Sequence, residues 1–139
     1  MNGDRIRYRS GYKYQLVEDY SVQLEHIRTL NPIDSGYISL ESSGLLNIKS
    51  GYAWDGPSGP TVDSNSFMRG SLIHDALYQL IRDGLLRRDV REDADKELVL
   101  ACEKDGMSWI RRKYVYLSLR GFGRSASMPS GERPLMVAP

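Results

Sequence analysis

Between Gly51 and Pro60, three glycines and two prolines fall within ten residues, and no helix or strand runs unbroken through such a stretch. Glycine opens backbone angles that other residues avoid, and proline withholds the N–H that a ladder or helix needs. The loop divides the chain into two parts with different hydropathy periods. With 139 residues in all, one hydrophobic core must serve both parts.

Before the loop the period is two. Tyr12, Tyr14 and Leu16 alternate with Lys13 and Gln15, which predicts a half-buried strand, and a second apolar run begins near Val22. Asn31-Pro32 and Asp34-Ser35-Gly36 predict a turn. Tyr37 to Leu40 and Leu45 to Ile48, separated by Glu41-Ser42-Ser43-Gly44, predict a hairpin. This part reads as a small antiparallel sheet.

After the loop the period is helical. Phe67, Ser71, His74, Tyr78 and Ile81 recur every three or four residues, predicting a helix over 67–82 with Ser66 as its cap and Gly84 as its stop. A second helix is expected over 89–104, with Asp89 as cap, Ala94, Leu98 and Ala101 on one stripe, and Gly106 as stop. The short linker favours antiparallel packing of the two. A third helix over 109–119 is expected to turn Ile110, Tyr114 and Leu117 inward, although Tyr114, Val115 and Tyr116 would also suit a strand. Beyond Gly123 the composition shifts to Ser, Pro, Met and Gly, the signature of a flexible tail over 124–139. The expectation is a single α+β domain over 1–123, an N-terminal antiparallel sheet followed by about three packed helices.

Charge and cysteine content narrow the function. Nineteen basic residues nearly balance 18 acidic ones, so any electrostatic recognition is local. From Gly106 onward six Lys or Arg stand against the single acid Glu132, and Arg69, Arg82, Arg87, Arg88 and Arg91 accompany the helices. Guanidinium groups bind phosphate bidentately, so a small anionic, phosphate-containing substrate suits this half, and a solvated basic face is the plainer reading. One cysteine, Cys102, excludes an intrachain disulfide and fits a reducing compartment such as the cytosol. No apolar stretch has the length of a membrane span, and nothing in the composition decides for or against a homo-oligomer.

The candidate chemistry gathers on the first two helices and the loop. His74 and Tyr78 share a helix face, and Asp75 adjoins His74. If the helices pack antiparallel, Asp95 approaches His74, where a carboxylate on one ring nitrogen raises the basicity of the other. Asp93 competes for that role. Asp55 in the glycine loop and Asp75 supply hard oxygen ligands for a divalent cation of the magnesium, manganese or calcium kind. Ser58 and Arg69 are candidate substrate contacts. The same cluster also reads as a hydrogen-bonded strut, with Asp55-Gly56 a simple turn.

The motifs Gly51-Tyr52-Ala53-Trp54-Asp55 with Ser58 and Pro60, His74-Asp75-Ala76-Leu77-Tyr78, Ala94-Asp95-Lys96 and Phe122-Gly123 together resemble the phage-associated domain of unknown function numbered 1353, over residues 35–123. That resemblance implies that Asp55, Ser58, Pro60, His74, Asp75, Tyr78 and Asp95 form a shared site. The His74-Asp75-x-x-Tyr78 string is also similar to secreted phospholipase A2 enzymes. This second resemblance implies His74 as base, Asp75 as a calcium ligand and Asp95 as the residue that orients His74. The chain departs from those enzymes in having one cysteine rather than a disulfide framework, and prolines in its loop.

Three functions stay open on these grounds. The first is a metal-dependent phosphodiesterase that degrades a small, cyclic nucleotide signal of host antiviral defence. The second is a phospholipase A2-like acyl ester hydrolase, which needs an exposed apolar surface to reach aggregated lipid. The third is a non-enzymatic phage structural or partner-binding protein.

Overall fold

The computed structural model describes residues 6, 8–9, 14–54 and 65–127, with side chains for 6, 14–54 and 65–121. The α+β architecture follows the two hydropathy periods. Among the described residues, seven short strands come first: β1 (Tyr8–Arg9), β2 (Tyr14–Leu16), β3 (Tyr20–Gln23), β4 (Ile33–Asp34), β5 (Ile38–Leu40), β6 (Leu45–Ile48) and β7 (Ala53–Trp54). Three α-helices follow among the described residues: α1 (Asn65–Arg82), α2 (Arg91–Lys104) and α3 (Trp109–Ser127). Among the described residues no helix is long and apolar enough to cross a membrane.

The strands form two antiparallel sheets, one in the order β1-β2-β7 and one in the order β3-β6-β5-β4. Alternation sets the register. Tyr20 lies opposite Ile48 and Val22 opposite Leu46, while Ile38 and Leu40 meet Ile48 and Leu46 from the other side. Tyr20, Ile38, Leu40, Leu46 and Ile48 are all at most 2% exposed, so one face of this sheet is core.

Two strands fall where turns were expected. β4 lies within the predicted turn region and pairs Ile33 with Leu40, and Pro32 just before it sits where a missing N–H is tolerated at an edge. β7 lies within the glycine loop and pairs Tyr14 with Trp54 and Gln15 with Ala53. Trp54 is 2% exposed, and its burial together with the long-range partner β2 stabilises a strand that local composition disfavours. Residues 55–64 lie outside the described residues.

The helices require three corrections. α1 begins at Asn65, so Ser66 sits in its first turn rather than capping it. Asp89 belongs to a short 3-10 turn, Arg88–Val90, where it pairs with the exposed Arg87, and α2 starts after Val90 with no side-chain cap. α3 faces the other way. Ile110, Tyr114 and Leu117 are 66%, 49% and 59% exposed, and Val115 is the residue turned inward, packed with Met107 and Leu119. α3 also runs through 124–127, past the expected start of the tail, and 128–139 lie outside the described residues. Gly84 and Gly106, with φ of +76° and +93°, follow α1 and α2 as expected of helix stops.

One buried cluster joins the sheet to α1 and includes Leu40, Leu46 and Ile48 from the strands and Leu72, Leu77 and Leu80 from the helix. Each fully buried leucine contributes roughly 1.5–3 kcal/mol, which outweighs the ~1 kcal/mol that Gly70 costs a helix interior. Gly70 is needed for proximity. A Cβ there would meet the Cys102 sulfur and the Leu98 carbonyl oxygen, each at 3.0 Å, so α1 and α2 approach closely only because the side chain is missing.

Two buried polar residues tie helices to strands. Arg69 is 3% exposed and donates to Asp105 through Nε and Nη2, and to the Tyr20 hydroxyl through Nη1. Glu97 is 4% exposed and accepts from the Glu25 N–H at 2.9 Å and the His26 N–H at 3.3 Å, fastening α2 to the chain after β3. Burial pushes the Glu97 carboxyl above its ordinary value, although those N–H groups pull the other way.

Gly70→Ala is expected to destabilise the fold by about 1–3 kcal/mol despite alanine's better helix propensity, because the Leu98 carbonyl cannot yield cheaply. Urea unfolding measures it. A neutral or stabilising result would show that the helices have slack at this crossing.

Candidate active site

α1 carries His74 and Tyr78 four residues apart, and therefore on one face. Their rings lie 3.9 Å apart between centroids, tilted by 38°. α2 packs against that face and presents Asp95, which is wholly buried. Asp95 Oδ1 lies 2.7 Å from His74 Nε2 and accepts from the Tyr78 hydroxyl at 2.6 Å. The second oxygen, Oδ2, accepts from Arg120 Nη1 of α3 at 3.0 Å. Each of the three helices contributes to one carboxylate.

The charge state follows from these partners. Burial alone would raise the Asp95 pKa, but the hydrogen bonds and charge facing it from His74, Tyr78 and Arg120 prevail, and Asp95 titrates below the ordinary carboxylate range. Burial, followed by the bond to Asp95, pushes Tyr78 well above a normal tyrosine, with nearby Arg91 opposing. Tyr78 is therefore a neutral donor. An ionised Asp95 against Nε2 selects the tautomer in which Nε2 carries the proton, which leaves Nδ1 with its lone pair. Among the described residues nothing hydrogen-bonds to Nδ1.

The structure thus brings His74, Tyr78 and Asp95 together. Asp93, the competing acid, lies about 200° around α2 from Asp95 and stays outside the cluster. Asp75 is half-buried and about 100° around α1 from His74, on an adjoining face. Arg69 is not at this site. It lies beside Asp105 and Tyr20, in the strut described above, rather than facing a substrate. Asp55, Ser58 and Pro60 lie outside the described residues. Their loop leaves β7 at Trp54, whose indole N–H donates to Ser71 at 3.0 Å, one turn of α1 before His74.

Two residues of the site escaped the sequence pattern. Arg120 stood among the basic residues of the last third, and no local spacing marks it as the partner of an aspartate 25 positions away. Arg91 lies one turn before Asp95 on α2, and its Nη1 is buried without a hydrogen-bond partner among the described residues. For a divalent cation, Asp75 offers a hard oxygen of the right chemistry, and Asp55 is the other implied ligand. Among the described residues no group of three His, Cys, Asp or Glu side chains converges.

Asp95 contributes most where it is ionised, above its unfolded value of about 3.9, and that contribution fades as pH falls toward its depressed native value. Truncating a buried charged partner costs on the order of 3–5 kcal/mol, toward the low end here because Arg120 is 31% exposed. Asp95→Asn is expected to melt at least about 5 °C below the parent near neutral pH, with the gap closing in acid. Calorimetry across pH reads this. A gap that stays constant in acid would mean that the Asp95 charge contributes nothing.

No family model, curated protein or solved structure matches the chain.

Proposed function

We propose that this protein is a hydrolase in which His74 is the general base, acting on a small phosphodiester such as a cyclic nucleotide signal of host antiviral defence. The observation that carries the reading is the buried Asp95, which engages Nε2 of His74 and leaves Nδ1 without a partner among the described residues. A carboxylate so placed holds the ring in one orientation and stabilises the imidazolium formed when Nδ1 takes a proton from water. Tyr78 and Arg120 hold Asp95 in turn, so the base rests on a fixed support.

Phosphate is favoured by the arginines at this support. Arg91 lies beside Tyr78, with a buried nitrogen that has no partner among the described residues, and Arg120 lies beside Asp95, where a guanidinium can neutralise a phosphoryl oxygen. Asp75 and Asp55 are the residues that would hold a magnesium, manganese or calcium ion, which when bound polarises the ester oxygen. The second reading, an acyl ester hydrolase similar to phospholipase A2, uses the same base and gains support from the exposed apolar face of α3.

The test is turnover of cyclic and linear dinucleotides, phosphodiesters and phospholipid micelles, with and without divalent cations, by the parent and by His74→Gln. Glutamine keeps a donor toward Asp95, so the variant is expected to melt near the parent while losing on the order of a hundred- to ten-thousandfold in rate. An unchanged rate would remove His74 as base. A folded protein that turns over none of the panel would favour the phage structural or partner-binding role.

A further inference from the structure

The outward face of α3 has a composition that the fold does not use. Ile110, Tyr114 and Leu117 follow one another at spacings of four and three residues and form a single stripe, with Trp109 at its edge. Trp109 is 64% exposed and the other three are 49–66% exposed. α3 turns Val115 inward for packing, so the apolar stripe is additional to what the core requires.

Charge indicates what covers it. From Trp109 to Ser127 the helix contains five Lys or Arg and no Asp or Glu. By helical position the exposed Lys113 lies on one flank of the stripe, next to Arg120, whose guanidinium is engaged by Asp95. A second copy docking through this face would set like charges against each other. An anionic surface would meet complementary charge, with the aromatic rings at the headgroup level and the aliphatic side chains below it.

We propose that α3 is an interfacial helix that docks this protein on the surface of an anionic lipid bilayer, lying in the plane of the headgroups. Ile110, Tyr114 and Leu117 enter the acyl boundary, and the exposed Lys113 meets lipid phosphate. The inference does not depend on turnover at His74. It also gives a physical route by which the acyl ester reading would reach aggregated substrate.

Trp109 reports on docking directly. The other tryptophan, Trp54, is buried and bonded to Ser71, so its emission is insensitive to the surface. Titrating the full chain with phosphatidylglycerol vesicles is expected to shift Trp109 emission to the blue, with binding weakened by salt and much weaker on phosphatidylcholine. Ile110→Glu with Leu117→Glu is expected to lower affinity roughly tenfold or more. Both positions are exposed, so folding should be unchanged by circular dichroism. Lys113→Glu is expected to weaken binding to phosphatidylglycerol alone. Absence of binding, or binding unaffected by the Ile110 and Leu117 pair, overturns the proposal. So does light scattering that shows a dimer abolished by that pair, since the face would then belong to a second copy.

Discussion

A carboxylate taken wholly out of water needs its negative charge answered on every side, and Asp95 determines how the three helices meet. Its desolvation works against folding unless hydrogen bonds and positive charge replace the lost water. His74 and Tyr78 from α1 share Oδ1, and Arg120 from α3 reaches Oδ2. Moving any helix by an ångström would strand a charge in the interior. The helices are therefore held in register by an electrostatic requirement, while the apolar cluster beneath supplies the bulk of the stabilisation.

That requirement is met only because α1 and α2 approach closely. Gly70 lies one turn before His74, and Leu98 and Cys102 lie about one and two turns beyond Asp95, so the missing Cβ and the His74–Asp95 pair belong to the same crossing. Arg69 with Asp105, and Glu97 with the chain after β3, anchor the same two helices to the strands. Both anchors are buried ionisable groups with several hydrogen bonds each, which makes the crossing specific in geometry.

Much of this was legible in the sequence, for identifiable reasons. Alternation of apolar residues predicted β2, short apolar runs predicted β3 and the β5–β6 hairpin, and the spacing of His74 and Tyr78 placed both on one face of α1. Asp95 could be anticipated because a short linker forces antiparallel helices. Arg120 and Gly70 could not, since their roles depend on partners distant in the chain that no local period encodes. α3 misled for a related reason. A stripe at helical spacing shows that an apolar face exists, and Ile110, Tyr114 and Leu117 form one, but periodicity carries no information about whether that face meets the core or solvent. Val115 and Leu119, less conspicuous in the pattern, took the inward positions. The cap assigned to Asp89 failed because Arg87 competes for its carboxylate before α2 begins.

Arg120 joins the two surfaces that matter most. It extends from α3 to Asp95 Oδ2, and by helical position it also flanks the exposed stripe of Ile110, Tyr114 and Leu117. Its side chain is 31% exposed, so part of the guanidinium's hydration remains while its head answers a wholly buried charge. A change in the surroundings of α3 would alter the dielectric around that guanidinium and hence how strongly it stabilises ionised Asp95. Asp95 in turn governs the tautomer and orientation of His74. The outer face of α3 and the imidazole are thus two ends of one electrostatic chain, with Asp95 as its middle link.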